Sequence, residues 1–167
     1  MGEMPMMVVS HVLVGAAAWV VAVKVGGMGH GDIDALALGA AMAGALLPDI
    51  DHPSSWLGRR LWPVSKPLSL LLGHRGLTHS LLAVAGGLAL IHAAQPNTAI
   101  ARLVEPLVVG YLSHLAADAL TPAGVPLLWP WKRRFGLPLC ATGGAMELVV
   151  VAATLASSAW IATGGLR

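Results

Sequence analysis

The sequence predicts an all-α, polytopic membrane protein: a single domain over residues 1–167, built as a bundle of about five transmembrane helices. Two observations predict this fold class. Of the 167 residues, 56% are apolar and only 11% are charged, whereas soluble domains have about 45–50% apolar and about 25% charged residues. In addition, apolar stretches near the length of a membrane span recur along the chain, and no linker long enough to separate two domains interrupts them.

Five apolar stretches are the predicted helices, at about 6–25, 33–47, 77–94, 100–120 and 145–163. Four are close to the ~20 residues that a helix needs to cross a hydrocarbon core of ~30 Å. The second would reach only roughly 22 Å, and Pro48 ends it because the proline ring disfavours a continuing helix. The first is interpreted as a retained span, because a signal peptide would begin with basic residues, whereas residues 1–9 contain no lysine or arginine and their one charged residue is Glu3.

Lysine and arginine are unequally distributed between the two sides of this topology. The loops 48–76 and 121–144 carry seven of the ten, and five spans place both loops on the same side as the N-terminus. By the positive-inside rule this side is cytoplasmic, in the plasma (inner) membrane. Four tryptophans in the same loops fit an interfacial aromatic belt: Trp56, Trp62, Trp129 and Trp131.

The charge and cysteine counts exclude other classes of protein. Ten basic residues against eight acidic ones are too small an excess for a nucleic-acid-binding face, so membrane lipids are the expected partners. The single cysteine, Cys140, excludes an internal disulfide framework and a multi-cysteine zinc cluster.

Five of the seven histidines and four of the eight acidic residues fall at the predicted cytoplasmic end. They belong to the first span, to the strings LPDIDHP, HRGLTHS and SHLAADALTP, and to the start of the fifth span: His11, Asp49, Asp51, His52, His74, His79, His114, Asp118 and Glu147. The topology was assigned from lysine, arginine and apolar length, so this convergence is independent of it.

The chemistry of these residues predicts a divalent-metal site. His114 and Asp118 are four residues apart on a helix, so their side chains share one face. Histidine with carboxylate suits zinc first, and manganese or iron as alternatives, better than calcium or magnesium. Carboxylates near lipid are costly to bury unless a cation compensates them. Nine candidates exceed the needs of one tetrahedral ion, so two or more ions are an open alternative.

The candidates are ranked by this argument. The first expected ligands are Asp49, His79, His114 and Asp118, and the next are His11, Asp51, His52 and His74. Glu147 is expected to be either a ligand or a general base.

Taken singly, these features also have structural interpretations. An Asp-x-Asp pair after a helix is commonly a turn or a cap, and a lone histidine in a bundle is commonly a hydrogen-bonded core residue. Thr78 and Ser80 are expected to begin or cap the third span, and Gly15, Gly39 and Gly44 to permit close helix packing. The structural interpretations do not explain why nine such residues gather at one end.

These strings, in their order and spacing, resemble the YdjM-like membrane-bound metal-dependent hydrolases over about residues 10–147. HRGLTHS and HLAADALTPAGVPLLWP carry most of the resemblance, and the helical HxxxD pattern is similar to that of zinc-dependent phospholipase C. The resemblance implies a membrane hydrolase whose bound metal is held by the nine residues named above. One departure is Gly143-Gly144, where the family tends to have a Gly-Ser pair before the glutamate.

The leading functional hypothesis is metal-assisted hydrolysis of a phosphoester or other ester bond of a lipid at the cytoplasmic interface. Asp51 or Glu147 would take the proton of the attacking water. Arg75 would hold a phosphate oxygen, or would serve only as a positive-inside anchor.

Two alternatives remain. A metal transporter or sensor would bind metal without hydrolysis, although transport calls for polar residues near mid-membrane. An intramembrane metalloprotease is disfavoured because the sequence has no HExxH string.

Overall fold

A computed structural model describes residues 4–31, 33–72, 76–131, 133–141 and 143–165. Within these ranges the regular secondary structure is helical and, apart from an isolated β-bridge between Val125 and Phe135, no strand is formed, which confirms the predicted all-α class. The helices are α1 (Met4–Gly26), α2 (Ala35–Gly44), α3 (Trp56–Arg60), α4 (Trp62–Leu72), α5 (Leu81–Ala94), α6 (Thr98–Ala101), α7 (Val104–Ala119) and α8 (Ala145–Ala162).

All five predicted apolar stretches contain a helix, and three of the helical segments are long and apolar enough to cross a membrane. These three are Val8–Gly26 in α1, Thr98–Ala119 across α6 and α7, and Ala145–Ala162, which is α8. The other two, α2 and α5, have 10 and 14 residues. They are shorter than the predicted stretches 33–47 and 77–94, and local capping explains both differences.

Helix α2 is bounded by an acidic cap and a proline turn. The carboxylate of Asp34 accepts a hydrogen bond from the backbone N–H of Ala37 at 2.7 Å, as N-cap residues do. The α-helix ends at Gly44. A 3-10 turn, Leu47–Asp51, follows it and has Pro48 near its start. Because proline restricts both its own backbone and that of the preceding residue, the α-helix ends before it.

Helix α5 begins later than predicted because a serine caps it. Ser80 has an extended backbone, and its hydroxyl accepts the backbone N–H of Ala83 at 3.3 Å. The residues before it, Leu77–His79, form a 3-10 turn instead of the first turn of the span. This confirms the cap expected at Ser80, and it places His79 on a turn beside the helix bundle.

The sequence predicts a loop over 48–76. This prediction is wrong, because the segment contains α3 and α4. Ser55 is the N-cap of α3 and accepts the backbone N–H of Gly58 at 2.9 Å. Two features hid these helices: α3 has only five residues, and Pro67 lies inside α4, where a proline argues against a helix.

The bundle is centred on α7, which packs against α1 and α2, while α8 packs on α1. The contact between α2 and α7 depends on two glycines. A Cβ at Gly44 would overlap the carbonyl of Leu107, and a Cβ at Gly110 would overlap the carbonyl of Ala41. The backbones of the two helices are therefore as close as glycine allows, which is a common arrangement in membrane bundles.

The three glycines expected to permit close packing behave differently. Gly44 does so, and a Cβ at Gly15 would lie 2.8 Å from the Cβ of Ala45. Gly39 does not, because a Cβ there would meet nothing within 4 Å among the described residues. The prediction for Gly39 is wrong because it lies on the face of α2 directed away from α1 and α7.

Candidate metal centre

Five side chains from four segments bring their metal-binding atoms together at one end of the bundle. They form two overlapping groups with donor atoms within 4.8 Å of one another: His11, His114 and Asp118, and Asp49, His79 and His114. All are buried except Asp49, which is partly exposed. The segments are the first turns of α1, the 3-10 turns Leu47–Asp51 and Leu77–His79, and the last turns of α7.

The donor atoms of these side chains are separated by distances close to those between ligands of one metal ion. Asp118 Oδ1 lies 3.5 Å from His11 Nε2, and its Oδ2 lies 3.8 Å from Nε2 of both His79 and His114. Asp49 Oδ1 lies 3.7 Å and 3.9 Å from the same two nitrogens. These separations exceed normal hydrogen-bond lengths and approach the roughly 3.3 Å between two donors bound at about 2.0 Å to a tetrahedral ion.

His114 is oriented by the end of α2. Its Nδ1 lies 2.7 Å from the carbonyl oxygen of Ala45, and since a carbonyl can only accept, Nδ1 carries the hydrogen. The carbonyl is available because α2 ends at Gly44. The other nitrogen, Nε2, therefore presents its lone pair to the carboxylates of Asp49 and Asp118.

The Nε2 atom of His114 is buried and has no hydrogen-bond partner within the described part of the chain. A buried lone pair facing two carboxylates is unfavourable unless a cation lies between them. This atom, together with a donor set of three imidazoles and two carboxylates, fits a divalent transition metal.

His11 completes the group through ring stacking. Its ring lies on that of His114, with centroids 4.0 Å apart and an angle of 19° between the planes. Stacking at the start of α1 directs Nε2 of His11 to Asp118. A histidine that would alone be interpreted as a core residue thus faces a carboxylate.

His79 is held from behind by Thr78 and Asp51. The Thr78 hydroxyl donates to Asp51 Oδ2 and lies 3.1 Å from His79 Nδ1. Its single hydrogen is used in the bond to Asp51, so the oxygen accepts the Nδ1 hydrogen and leaves Nε2 of His79 for a metal. Asp51 is fully buried on the Nδ1 side of the ring, 3.9 Å away, the position of a carboxylate that orients a metal-binding histidine.

Glu147 lies on the wall of a cavity that adjoins the cluster. The cavity, between α1, α7 and α8, has a volume of about 60 Å³, and its lining includes Ser10, His11, Asp118 and Glu147. The Ser10 hydroxyl donates to Oε1 of Glu147, and the Gly143 N–H donates to Oε2 at 2.6 Å. The cavity has room for a few water molecules, beside a carboxylate held in a fixed orientation.

The remaining predicted residues lie elsewhere or outside the described ranges. His52 has its Nε2 3.0 Å from the Ser54 hydroxyl and is not part of either converging group. His74 and Arg75 lie outside the described residues. Five of the nine predicted ligands therefore converge, while Asp51 and Glu147 adjoin them through other contacts.

Sequence reasoning missed three groups that orient the site: the Ala45 carbonyl, the Thr78 hydroxyl and the Ser10 hydroxyl. Thr78 and Ser10 each directly precede a candidate histidine, which is a weak signal in the sequence. Nothing in the sequence marks the Ala45 carbonyl, because its availability depends on where α2 ends.

Comparisons with known proteins agree with this architecture. Residues 6–166 match the family described as YdjM inner membrane protein. The chain is 48% identical over 126 residues to the inner membrane protein YdjM of Escherichia coli strain K12 and to that of Shigella flexneri, alignments that cover 73% of this chain and 64% of each relative. It is 40% identical over 116 residues to the uncharacterized protein YvsG of Bacillus subtilis strain 168, with coverages of 68% and 71%.

The aligned region thus spans less than two thirds of the length of the two YdjM relatives. No solved structure matches the chain. The family match extends over nearly all of the sequence and includes all five residues of the two converging groups. The chain therefore belongs to the YdjM inner membrane protein family.

Proposed function

We propose that this protein is a membrane-bound metal-dependent hydrolase that cleaves a phosphoester or ester bond of a lipid at the cytoplasmic face of the inner membrane. One observation carries the proposal: three imidazoles and two carboxylates have donor atoms 3.5–3.9 Å apart, beside a cavity that a third carboxylate lines. Donor sets of this kind suit zinc, with manganese or iron as alternatives.

The ligands would be Nε2 of the three histidines and the carboxylates of Asp49 and Asp118. His114 Nε2 belongs to both groups, but a nitrogen with one lone pair can bind only one ion. Asp118 directs its two oxygens at different histidines, an arrangement that suits a bridging carboxylate. Either group of three donors would therefore hold one ion, so one ion or two remain open.

When bound, such an ion supplies Lewis-acid chemistry, which makes water more nucleophilic near neutral pH and stabilises negative charge on the substrate oxygen. We assign to Glu147 the role of general base, because its carboxylate lines the cavity and is held by Ser10 and Gly143. We assign to Asp51 the positioning of His79, because its buried carboxylate accepts the Thr78 hydroxyl behind the ring.

Three predicted roles remain proposals from the sequence. Arg75 would hold a phosphate oxygen of the substrate, and His74 and His52 would be further ligands. A lipid substrate is supported by the position of the converging residues near the start of α1 and the end of α7, which are ends of two candidate membrane spans.

Metal analysis of detergent-purified protein tests the site. We expect one to three equivalents of zinc, manganese or iron per wild-type chain by ICP-MS, and less than about a tenth of that in His114→Ala, which loses a central ligand. His92→Ala is the matched control, because His92 is exposed on α5 and should leave the metal content unchanged. Absence of metal from wild-type protein, even after reconstitution, would contradict the proposal.

Glu147→Gln tests the reaction separately from binding. This variant should retain wild-type metal content but hydrolyse lipid roughly 10²–10⁴-fold more slowly, because a positioned base is lost. The assay uses vesicles of phosphatidylethanolamine and phosphatidylglycerol, with products identified by mass spectrometry. Bound metal without any product in the wild type would favour the alternative of a metal-binding protein without hydrolytic activity.

A further inference from the structure

The exposed face of helix α4 is mainly apolar, unlike that of a helix in contact with water. Ser65 is fully buried, whereas Trp62, Leu70 and Leu71 are 52%, 78% and 80% exposed. A helix on the surface of a soluble protein buries its apolar face and exposes its polar one. The outer face of α4 is therefore built for an apolar surrounding.

Helix α4 is too short to be a span, because its 11 residues extend only about 16 Å. Trp62, Lys66 and Leu70 follow one another at helical spacing, and with Pro63, Pro67 and Leu71 they line a surface groove. A lysine in the middle of an apolar face is typical of a helix lying in the membrane interface, where the stem is buried among apolar groups and the ammonium reaches the headgroups.

Two of the three basic side chains of this region, Arg60 and Lys66, lie on aromatic rings. The Lys66 ammonium lies 4.8 Å from the centre of the Trp62 ring, and the Arg60 guanidinium lies 3.7 Å from that of Trp56. Tryptophan is enriched at the boundary between membrane and water. Each pair thus combines an interfacial ring with a cation at the same depth.

The charge of the region is of one sign. Residues 53–72 contain Arg59, Arg60 and Lys66 and no acidic residue. All three are exposed. A uniformly cationic surface with an apolar face complements lipids that carry a net negative headgroup.

We propose that α3 and α4 together, residues 56–72, form a platform that lies in the membrane interface and binds anionic lipid headgroups. Arg60 and Lys66 contact the phosphates, and Leu70 and Leu71 insert among the acyl chains. This proposal is independent of whether the converging histidines and carboxylates form a hydrolytic site.

The platform also packs against a turn that carries one of the candidate metal ligands. Helix α4 packs on the turn Leu47–Asp51, which carries Asp49. A Cβ at Gly58 of α3 would overlap the carbonyl of His52, so α3 lies directly against the end of the same turn. An anionic lipid bound on the platform would be held beside the candidate site.

Native mass spectrometry of detergent-purified protein tests the platform. The protein is incubated with equimolar phosphatidylglycerol and phosphatidylcholine, and the lipids retained per chain are counted. The wild type should retain phosphatidylglycerol preferentially, and Arg60→Gln/Lys66→Gln should reduce that preference by about fivefold or more, since each interfacial cation contributes to anionic-lipid binding. The charge-preserving variant Arg60→Lys/Lys66→Arg should keep it.

Arg133→Gln/Arg134→Gln is the matched control, with the same change in net charge in the other basic loop. It should change the preference less than twofold. An equal loss in both double variants, or no loss in Arg60→Gln/Lys66→Gln, would overturn the proposal. ICP-MS on the same samples separates this outcome from the proposed function, because the platform variants should retain wild-type metal content.

Discussion

The two ends of the bundle formed by α1, α2 and α7 bury different kinds of side chain. At one end the helices bury His11, His114 and Asp118. At the other, a cluster of Trp19, Val23, Ala37 and Ala41 is buried, beginning eight residues, or about 12 Å, farther along α1.

Along the same helices, one end therefore contributes mainly to the stability of the fold, and the other carries the candidate ligands. Close packing stabilises the apolar end, where every buried atom gains dispersion contacts. Imidazoles and carboxylates at the polar end cost free energy to bury, a cost that a bound cation of the kind proposed above would offset. Substitutions at the two ends should therefore have different consequences.

The largest effect on stability is expected from Trp19→Ala at the apolar end. Removing this buried ring should lower the free energy of unfolding by about 3–5 kcal/mol, measured as thermal unfolding in detergent, and should leave the metal content of the folded fraction unchanged. Trp160→Ala is the control, because Trp160 on α8 is 55% exposed. Loss of metal from folded Trp19→Ala protein would show that the two ends are not separable.

Gly110→Ala should affect both ends, since Gly110 lies between them on α7. The added Cβ would overlap the carbonyl of Ala41, and overpacking of this kind costs about 1–3 kcal/mol. Because His114 is one turn farther on, metal affinity should fall as well. In Gly86→Ala the Cβ meets nothing within 4 Å of the described residues, so that control should unfold no earlier than wild type.

The smallest effect on stability is expected from Thr78→Val at the polar end, where the change is in metal affinity. This nearly isosteric change removes the hydroxyl that links Asp51 to His79, and loss of such an orienting group typically weakens metal binding about 10–100-fold. A competition titration against a chelator measures it. Thr78→Ser should keep wild-type affinity. So should Thr154→Val, because the Thr154 hydroxyl donates to the Val150 carbonyl within α8. Unchanged affinity in Thr78→Val would contradict the orienting role.

Span prediction succeeded where length and hydropathy decide, and failed where local capping or short helices do. The stretches that became α1 and α8 differ from the observed helices by two residues or fewer. Helix α5 starts later than predicted because Ser80 caps it. Helix α4 was missed because Pro67 and exposed leucines do not form the pattern of a soluble amphipathic helix.

Composition and spacing were sufficient to identify a membrane bundle with its histidines and carboxylates at one end. Hydropathy and segment length depend only on the residues of each segment, and the order of segments then determines which helix ends meet. The sequence could therefore name the residues of the cluster before any contact between them was known.

The orientation of each of these side chains was decided by the tertiary structure. Nε2 of His114 faces the cluster because Nδ1 bonds to Ala45, 69 positions earlier in the chain. Asp51 lies behind His79 because the Thr78 hydroxyl connects the two turns. Side-chain orientation depends on hydrogen-bond partners from distant segments, and local periodicity carries no information about them.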